Sequence, residues 1–164
     1  MALAVTHIIL TIVILDLVRH YVFGKDKFTR YLLVIGGVAG LAPDIDMPFT
    51  WIYNWITGAN ANFHGTITHS LIFPLIFLII GIFLQVRDNE KWSKIFYVIS
   101  AGWFLHVILD CLFGGYKSFF WPVLTSCQFC PQWGIDQYAI GIDAIILVLW
   151  LVHEELHKQI RDYI

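Results

Sequence analysis

Five strongly apolar segments constrain this chain more than any other feature of its sequence. The whole chain is 59% hydrophobic and only 13% charged, and these segments carry almost no charge. A hydrocarbon core about 30 Å thick requires about 20 apolar helical residues to cross it. The sequence therefore predicts an all-α fold, a polytopic transmembrane helix bundle of about five spans, at residues 2–18, 31–42, 69–86, 95–113 and 138–152.

Length and charge limit the other possibilities. The apolar segments run through nearly all of the 164 residues, so we predict one integral-membrane domain over residues 1–164. The formal net charge of -2 gives no basic surface for nucleic acid. We therefore expect the membrane as a partner and no nucleic acid, whereas the sequence gives no indication of the oligomeric state.

The basic residues are distributed very unevenly between the loops. Only Lys117 falls in the second or fourth loop; the other nine Lys and Arg residues fall in the first loop, the third loop and the C-terminal end. Loops rich in Lys and Arg remain in the cytoplasm. We therefore predict a multi-pass membrane protein with its N-terminus outside and its C-terminus in the cytoplasm.

Histidine and aspartate side chains recur in or beside the predicted spans. Ionisable groups are costly there and commonly mark functional sites. Counting about 1.5 Å per helical residue from the flanking basic residues places six of them about 18–27 Å above the inner boundary. Five spans thus bring these groups to one layer in the outer half of the membrane. The six are His7, Asp44, His69, His106, Asp110 and Asp143.

Metal binding explains this clustering better than unrelated structural polar groups do. His106 and Asp110 are four residues apart and share a helix face. The mixture of imidazole and carboxylate suits zinc, or manganese, nickel or iron. In "PDID", Asp44 and Asp46 can point in different directions, one to a metal and the other to a histidine. We predict one or two divalent ions, with zinc first among the candidates and with candidate ligands His7, Asp44, Asp46, His64, His69, His106 and Asp110.

This arrangement favours hydrolysis of a phosphoester, because two-metal sites are common in enzymes that catalyse this reaction. A layer a few ångströms below the outer headgroups favours a lipid or lipid-linked phosphate substrate, cleaved by metal-activated water with the active site facing outside. Asp44, Asp46 and His64 are the candidate catalytic residues. Two alternatives stay open: a metal ion transporter or channel, and a non-catalytic adaptor stabilised by its metal. Three roles stay open for Asp143: metal ligand, hydrogen-bond partner of a ligand, and helix-packing residue.

The order of the motifs resembles a known family. "TH" in the first span, "LAPDID", "HGTITHS", "HVILD" and "WP" resemble the LexA-regulated inner-membrane metal-dependent hydrolases (the YdjM family) over roughly residues 6–122. The resemblance implies a hydrolase in a prokaryotic inner or plasma membrane, and it does not imply a substrate. The chain departs from the family pattern at Gly65, where many members carry a basic residue, so a phosphate-binding role there is not implied.

The same order is also similar, more remotely, to that of zinc-dependent phospholipases C. This similarity implies that His7 binds one metal, that His69 and His106 bind the other, and that Asp110 bridges both. It further implies that one aspartate of the "PDID" motif is a ligand or the general base.

A second motif, "HEELH" at residues 153–157, matches the H-E-x-x-H helix signature of zinc peptidases. It follows the last predicted span on the side where the basic residues collect, about 15 Å from the predicted metal layer. We interpret it as a solvated helix end with pairs such as Glu154–Lys158, and not as a protease site.

Two further polar features are expected to have local roles. Asp16 should pair with a basic residue of the next helical turn. Cys127 and Cys130 form "CQFC" on the predicted outer side, where a disulfide or a reduced pair is possible. Cys111 is expected to be a small packing residue.

Overall fold

The computed structural model of the chain describes residues 4–113, 118–122, 130–131 and 138–157. These residues form six α-helices joined by loops and short helical turns, and no β-strand occurs among them. Some residues used in the sequence predictions lie outside the described residues, namely Lys117, Cys127, Lys158 and Arg161.

Five of the six helices coincide with the predicted apolar segments. The helices are α1 (Ala4–Val18), α2 (Arg30–Ala39), α3 (Asp46–Thr57), α4 (Ile72–Val86), α5 (Glu90–Leu112) and α6 (Ala139–Leu156). A π-helical turn at Arg19–Phe23 continues α1, and 3₁₀ turns at Ala42–Ile45 and Ile67–His69 lie before α3 and α4.

α3 is the helix that the apolar pattern does not predict. The chain bends by 44° between α2 and the helical segment that contains α3. The buried side chains of α3 are Asp46 and Thr50, and its exposed apolar side chains include Phe49, Trp51, Ile52, Trp55 and Ile56. An exposed helix rich in tryptophan is typical of the boundary between lipid and water.

Two helical segments are by themselves long and apolar enough to cross a membrane, Ala4–Phe23 and α5. The bent pair of α2 with the following segment would make a third. α4 has only 15 residues, and α6 carries three acidic residues in 18. The predicted all-helical membrane protein is confirmed, whereas the count of five spans stays a prediction.

α5 is the central helix, since it packs against α4, α2 and α1. Its approach to α2 is closest at Gly102, where an added Cβ would lie 2.5 Å from the Gly36 carbonyl oxygen and 3.0 Å from Ala39 Cβ. Small residues allow helix backbones to approach in this way in membranes. Because Gly102 lies one turn before His106, the contact brings the end of α2 close to that histidine.

The C-terminal H-E-x-x-H segment differs from the predicted solvated helix end. Glu154 is 2% exposed, because α6 packs against α1 with this side chain next to Asp16, itself 1% exposed. The Arg19 guanidinium donates to Asp16 at 3.1 Å, and the Trp150 indole N–H donates at 3.2 Å. The predicted pairing of Asp16 is confirmed, and the predicted solvation of Glu154 is wrong.

A disulfide joins Cys111, near the end of α5, to Cys130. The expectation that Cys111 is simply a packing residue is therefore wrong. Since Cys130 is bonded to Cys111, it is not paired with its neighbour in the "CQFC" motif. The correct pairing depends on the path of the chain after α5, which the sequence pattern does not specify.

We predict that Gly102→Ala destabilises the bundle. The new methyl group would press on a backbone oxygen of α2, and overpacking costs about 1–3 kcal/mol. Thermal unfolding in detergent should show a Tm several degrees below that of the wild type. Gly141→Ala in α6 is the matched control, because a Cβ there meets nothing within 4 Å. An equal Tm for both variants would contradict the close contact between α2 and α5.

Candidate metal centre

The seven predicted ligand side chains lie together in the structure. We call this group the metal centre, and it draws residues from α1, α5, both 3₁₀ turns, the start of α3 and the loop before the second turn. Its most buried members are His7, His69, His106 and Asp110, none more than 2% exposed. The side chains of Asp44 and His64 are 18% and 13% exposed. The centre is therefore buried on the helix side and accessible at Asp44 and His64.

Four atoms of the metal centre lie close together around the Nε2 atoms of two histidines. We call them the tetrad: Asp44 Oδ1, His69 Nε2, His106 Nε2 and Asp110 Oδ2. The two nitrogens are 3.2 Å apart, and Asp110 Oδ2 lies 3.2 Å from His69 Nε2 and 3.4 Å from His106 Nε2. Asp44 Oδ1 lies 3.6 and 3.5 Å from the same two nitrogens. Ligand atoms about 2.0–2.1 Å from a tetrahedral zinc ion are about 3.3–3.4 Å from one another.

The hydrogen bonds of the two histidines determine which nitrogen carries the proton. His106 Nδ1 lies 2.7 Å from the Gly40 carbonyl oxygen and donates to it. His69 Nδ1 lies 3.2 Å from Asp46 Oδ2 and 3.0 Å from the Thr68 hydroxyl oxygen. Both neutral rings therefore carry their proton on Nδ1, and their Nε2 lone pairs point toward each other. This tautomer assignment follows from the hydrogen-bond partners.

A divalent metal ion fits this donor set. Acceptor atoms that face one another in a buried space are unfavourable unless something positive lies between them. A proton on one imidazole would satisfy one or two of the tetrad contacts, whereas a single central cation would satisfy all of them. Two imidazole nitrogens and two carboxylate oxygens are ligands that zinc and related ions accept.

Asp46 lies behind the tetrad and orients two histidines. Its Oδ1 accepts a hydrogen bond from His64 Nδ1 at 2.9 Å. Its Oδ2 accepts from the Thr68 hydroxyl at 2.7 Å and from the Gly65 N–H at 3.2 Å, and also faces His69 Nδ1. Carboxylates in this position orient metal-binding histidines. Of the two directions that the "PDID" spacing allowed, Asp44 thus faces the tetrad and Asp46 faces the backs of the histidines.

The structure explains why glycine occurs at position 65, where the chain departs from the family pattern. Its φ of 78° lies in the region that favours glycine. This conformation turns the loop so that its N–H points at Asp46.

His7 extends the metal centre on the far side of Asp110. His7 Nε2 lies 3.4 Å from Asp110 Oδ1, while Oδ2 of the same carboxylate belongs to the tetrad. The His7 ring stacks on that of His106 with centroids 3.8 Å apart. A carboxylate with one oxygen toward each side is suited to bridging two ions, so the arrangement allows one ion or two.

Asp143 makes a contact between helices. The Thr6 hydroxyl of α1 donates to Asp143 Oδ2 of α6 at 2.9 Å. Of the three predicted roles, this contact matches that of a helix-packing residue.

Sequence reasoning missed three groups that support the centre: the Gly40 carbonyl, the Thr68 hydroxyl and Trp103. The Trp103 indole N–H donates to the Thr68 carbonyl at 2.8 Å and so joins the second 3₁₀ turn to α5. A backbone carbonyl cannot be identified as an acceptor from the pattern of side chains. The position of Trp103, three residues before His106, was the feature of the sequence that could have indicated its supporting role.

Comparisons with known proteins agree with the motif order. No curated protein and no solved structure gave a significant match to the chain. The family model described as YdjM inner membrane protein matches residues 1–161. Since this match covers nearly the whole sequence, the chain belongs to the YdjM inner membrane protein family.

Proposed function

We propose that this chain is a membrane-embedded, metal-dependent hydrolase that cleaves a phosphoester of a lipid or lipid-linked substrate at the outer leaflet. The observation that carries the proposal is the tetrad, in which the two histidine Nε2 atoms lie 3.2 Å apart and each has one oxygen of Asp44 and one of Asp110 within 3.6 Å. A divalent ion bound there supplies Lewis-acid polarisation of a phosphoryl oxygen and makes water acidic enough to lose a proton near neutral pH.

The accessible residues of the centre have roles in this reaction. Asp44 is the most exposed carboxylate of the centre: its Oδ1 faces the histidines, and its Oδ2 would accept the proton of the attacking water. His64 is held through Nδ1 by Asp46 and presents Nε2 to the substrate. The buried His69, His106 and Asp110 would hold the ion from the helix side, and the more exposed Asp44 and His64 would leave its other side open to water and substrate. Rigid support of this kind is what preorganised catalytic sites require.

A lipid-borne substrate is supported by the surroundings of the centre. α3 begins at Asp46, and its exposed side chains include Trp51 at 69% and Trp55 at 85%. Side chains of this kind are stable at the level of the lipid headgroups. A phosphate that remains attached to its lipid would therefore lie at the same depth as the mouth formed by Asp44 and His64.

The proposed orientation has five spans, an outside N-terminus and a cytoplasmic C-terminus. The uneven distribution of Lys and Arg supports it. The disulfide between Cys111 and Cys130 adds independent support, because disulfides persist in oxidising compartments such as the periplasm. Cys111 is next to Asp110, so the centre and the disulfide share one end of the bundle.

We predict that the purified protein contains at least one equivalent of zinc or a related divalent ion. His106→Ala and Asp110→Ala should each lower the metal content by at least one equivalent, because each removes a tetrad atom. Inductively coupled plasma mass spectrometry of the detergent-purified variants measures this. Asp46→Asn should weaken binding by about 10–100-fold, because it removes an orienting partner and not a ligand.

Asp26→Ala is the control for metal content, since Asp26 is exposed in the loop after α1. It should leave the metal content unchanged. Wild-type metal content in both His106→Ala and Asp110→Ala would contradict the assignment of the centre.

We predict hydrolysis of phospholipids or lipid phosphates by the wild-type protein in mixed micelles. Asp44→Asn should lower kcat by about 100-fold or more, the usual contribution of a general base. Phosphate or headgroup release from a panel of lipids, compared with soluble short-chain phosphate esters, measures both turnover and preference. Asp26→Asn serves as the control and should retain full activity.

The alternatives give different results in the same preparation. Metal uptake into proteoliposomes without lipid turnover would favour a transporter. Unfolding on removal of the metal, again without turnover, would favour a metal-stabilised adaptor. Equal hydrolysis of lipid and soluble esters would contradict the proposal that the substrate is a lipid. It would still support a hydrolase.

We predict that Asn60→Cys, in the exposed loop after α3, reacts with a membrane-impermeant thiol reagent in intact cells. Lys25→Cys, in the loop after α1, should react only after the membrane is permeabilised. Both variants are made with Cys127→Ser so that no native free thiol competes. The reverse pattern would place the metal centre in the cytoplasm and contradict the proposed orientation.

A further inference from the structure

A second group of histidine and acidic side chains lies between α1 and α6, separate from the metal centre. We call it the α1–α6 cluster, and its members are Asp16, His20, His153, Glu154 and His157. One ligand atom from each of Asp16, His153 and Glu154 lies within 4.8 Å of the others. The cluster uses the H-E-x-x-H motif, which the proposed function leaves without a role.

The three histidines of the cluster pack against one another. The ring centroids of His153 and His157 are 4.3 Å apart, and those of His20 and His153 are 5.1 Å apart. His157 Nδ1 donates to the His153 carbonyl at 2.8 Å, and His20 Nδ1 donates to the Asp16 carbonyl at 3.0 Å. Both hydrogen bonds leave Nε2 of the neutral ring as an acceptor.

The buried side chain of Glu154 is a second, independent indication that a ligand binds here. It is 2% exposed and faces the carboxylate of Asp16, and neither of its oxygens accepts a hydrogen bond from a donor group among the described residues. His153 Nδ1 is also buried, has no hydrogen-bond partner within the same part of the chain, and lies 3.8 Å from Glu154 Oε1. A buried carboxylate that accepts no hydrogen bond is strongly destabilising unless a proton or a cation binds to it.

We propose that Asp16, His153 and Glu154 form a second divalent-metal site. One imidazole and two carboxylates match first-row ions such as zinc, manganese or iron. Arg19 and Trp150 each donate to one oxygen of Asp16, and so hold that carboxylate in place as partners of metal ligands do. The Tyr21 hydroxyl oxygen lies 3.2 Å from His153 Nε2 and would accept a hydrogen bond from Nε2–H when Nδ1 binds the ion.

An ion can reach this site from the exposed side of the cluster. His157 is exposed, and the side chain of His153 is 19% exposed, whereas Asp16 and Glu154 form the buried floor. The Nε2 atoms of His20 and His157 lie on the rings packed around His153 and extend the set of possible ligands. The site does not depend on the proposed hydrolase, since it shares no residue with the metal centre.

Zinc titration of metal-stripped protein in detergent tests the proposal. The protein carries His106→Ala, which disables the metal centre, and binding is followed by calorimetry. About one equivalent of zinc is expected to bind. Glu154→Gln in the same background should weaken this binding by at least about tenfold, because it removes a charged ligand of similar shape. His153→Ala should have the same effect.

Glu155→Gln is the matched control, because Glu155 is the next acidic residue on α6 and is exposed. It should bind zinc as its parent does. If His106→Ala fails to fold, Glu154→Gln and Glu155→Gln are compared in the otherwise wild-type chain, where only the former should lose one equivalent. Zinc binding that is absent, or unchanged by both Glu154→Gln and His153→Ala, would overturn the site. A proton shared by Asp16 and Glu154 would then fill the cluster.

Discussion

Two histidine Nε2 atoms face each other at 3.2 Å in this fold, and one oxygen from each of two aspartates lies within 3.6 Å of both nitrogens. Acceptor atoms this close in a largely buried space repel one another unless something positive lies between them. The turn before α3 and the turn before α4 each contribute one of the four atoms, and α5 contributes two. The positive charge that binds between these atoms therefore also determines where the three parts of the bundle meet. His7 then positions α1 against Asp110, and Asp46 positions α3 against His69.

Helix packing and site geometry depend on each other in this fold. Lipid chains are as apolar as leucine, so apolar side chains alone do little to hold helices together in a membrane. The bundle instead uses a glycine contact between α2 and α5 at Gly102, which brings the Gly40 carbonyl to His106 Nδ1. That hydrogen bond in turn fixes the tautomer of His106. A backbone contact therefore decides which ring nitrogen is available to a metal.

The sequence predicted the layer of His7, His69 and Asp110 because helical rise is regular, so that counting residues gives depth. It did not predict α3, whose apolar residues follow a proline and remain exposed, or the pairing of Cys111, which depends on the path of a loop. The burial of Glu154 could not be predicted from the sequence either. Which face of α6 meets α1 is a tertiary property, and a solvated end and a buried one have the same local composition.

α1 has polar groups on two faces, and this explains how its position is set. His7 and Asp16 are nine residues apart, which is two and a half turns and hence opposite sides of the helix. One side contacts Asp110 of α5, and the other contacts Trp150 of α6. Sliding α1 along either neighbour by one residue would bury these groups away from their partners at a cost of several kcal/mol. Apolar packing would tolerate such a slip, so it is the polar contacts on both faces that select one register for the helix.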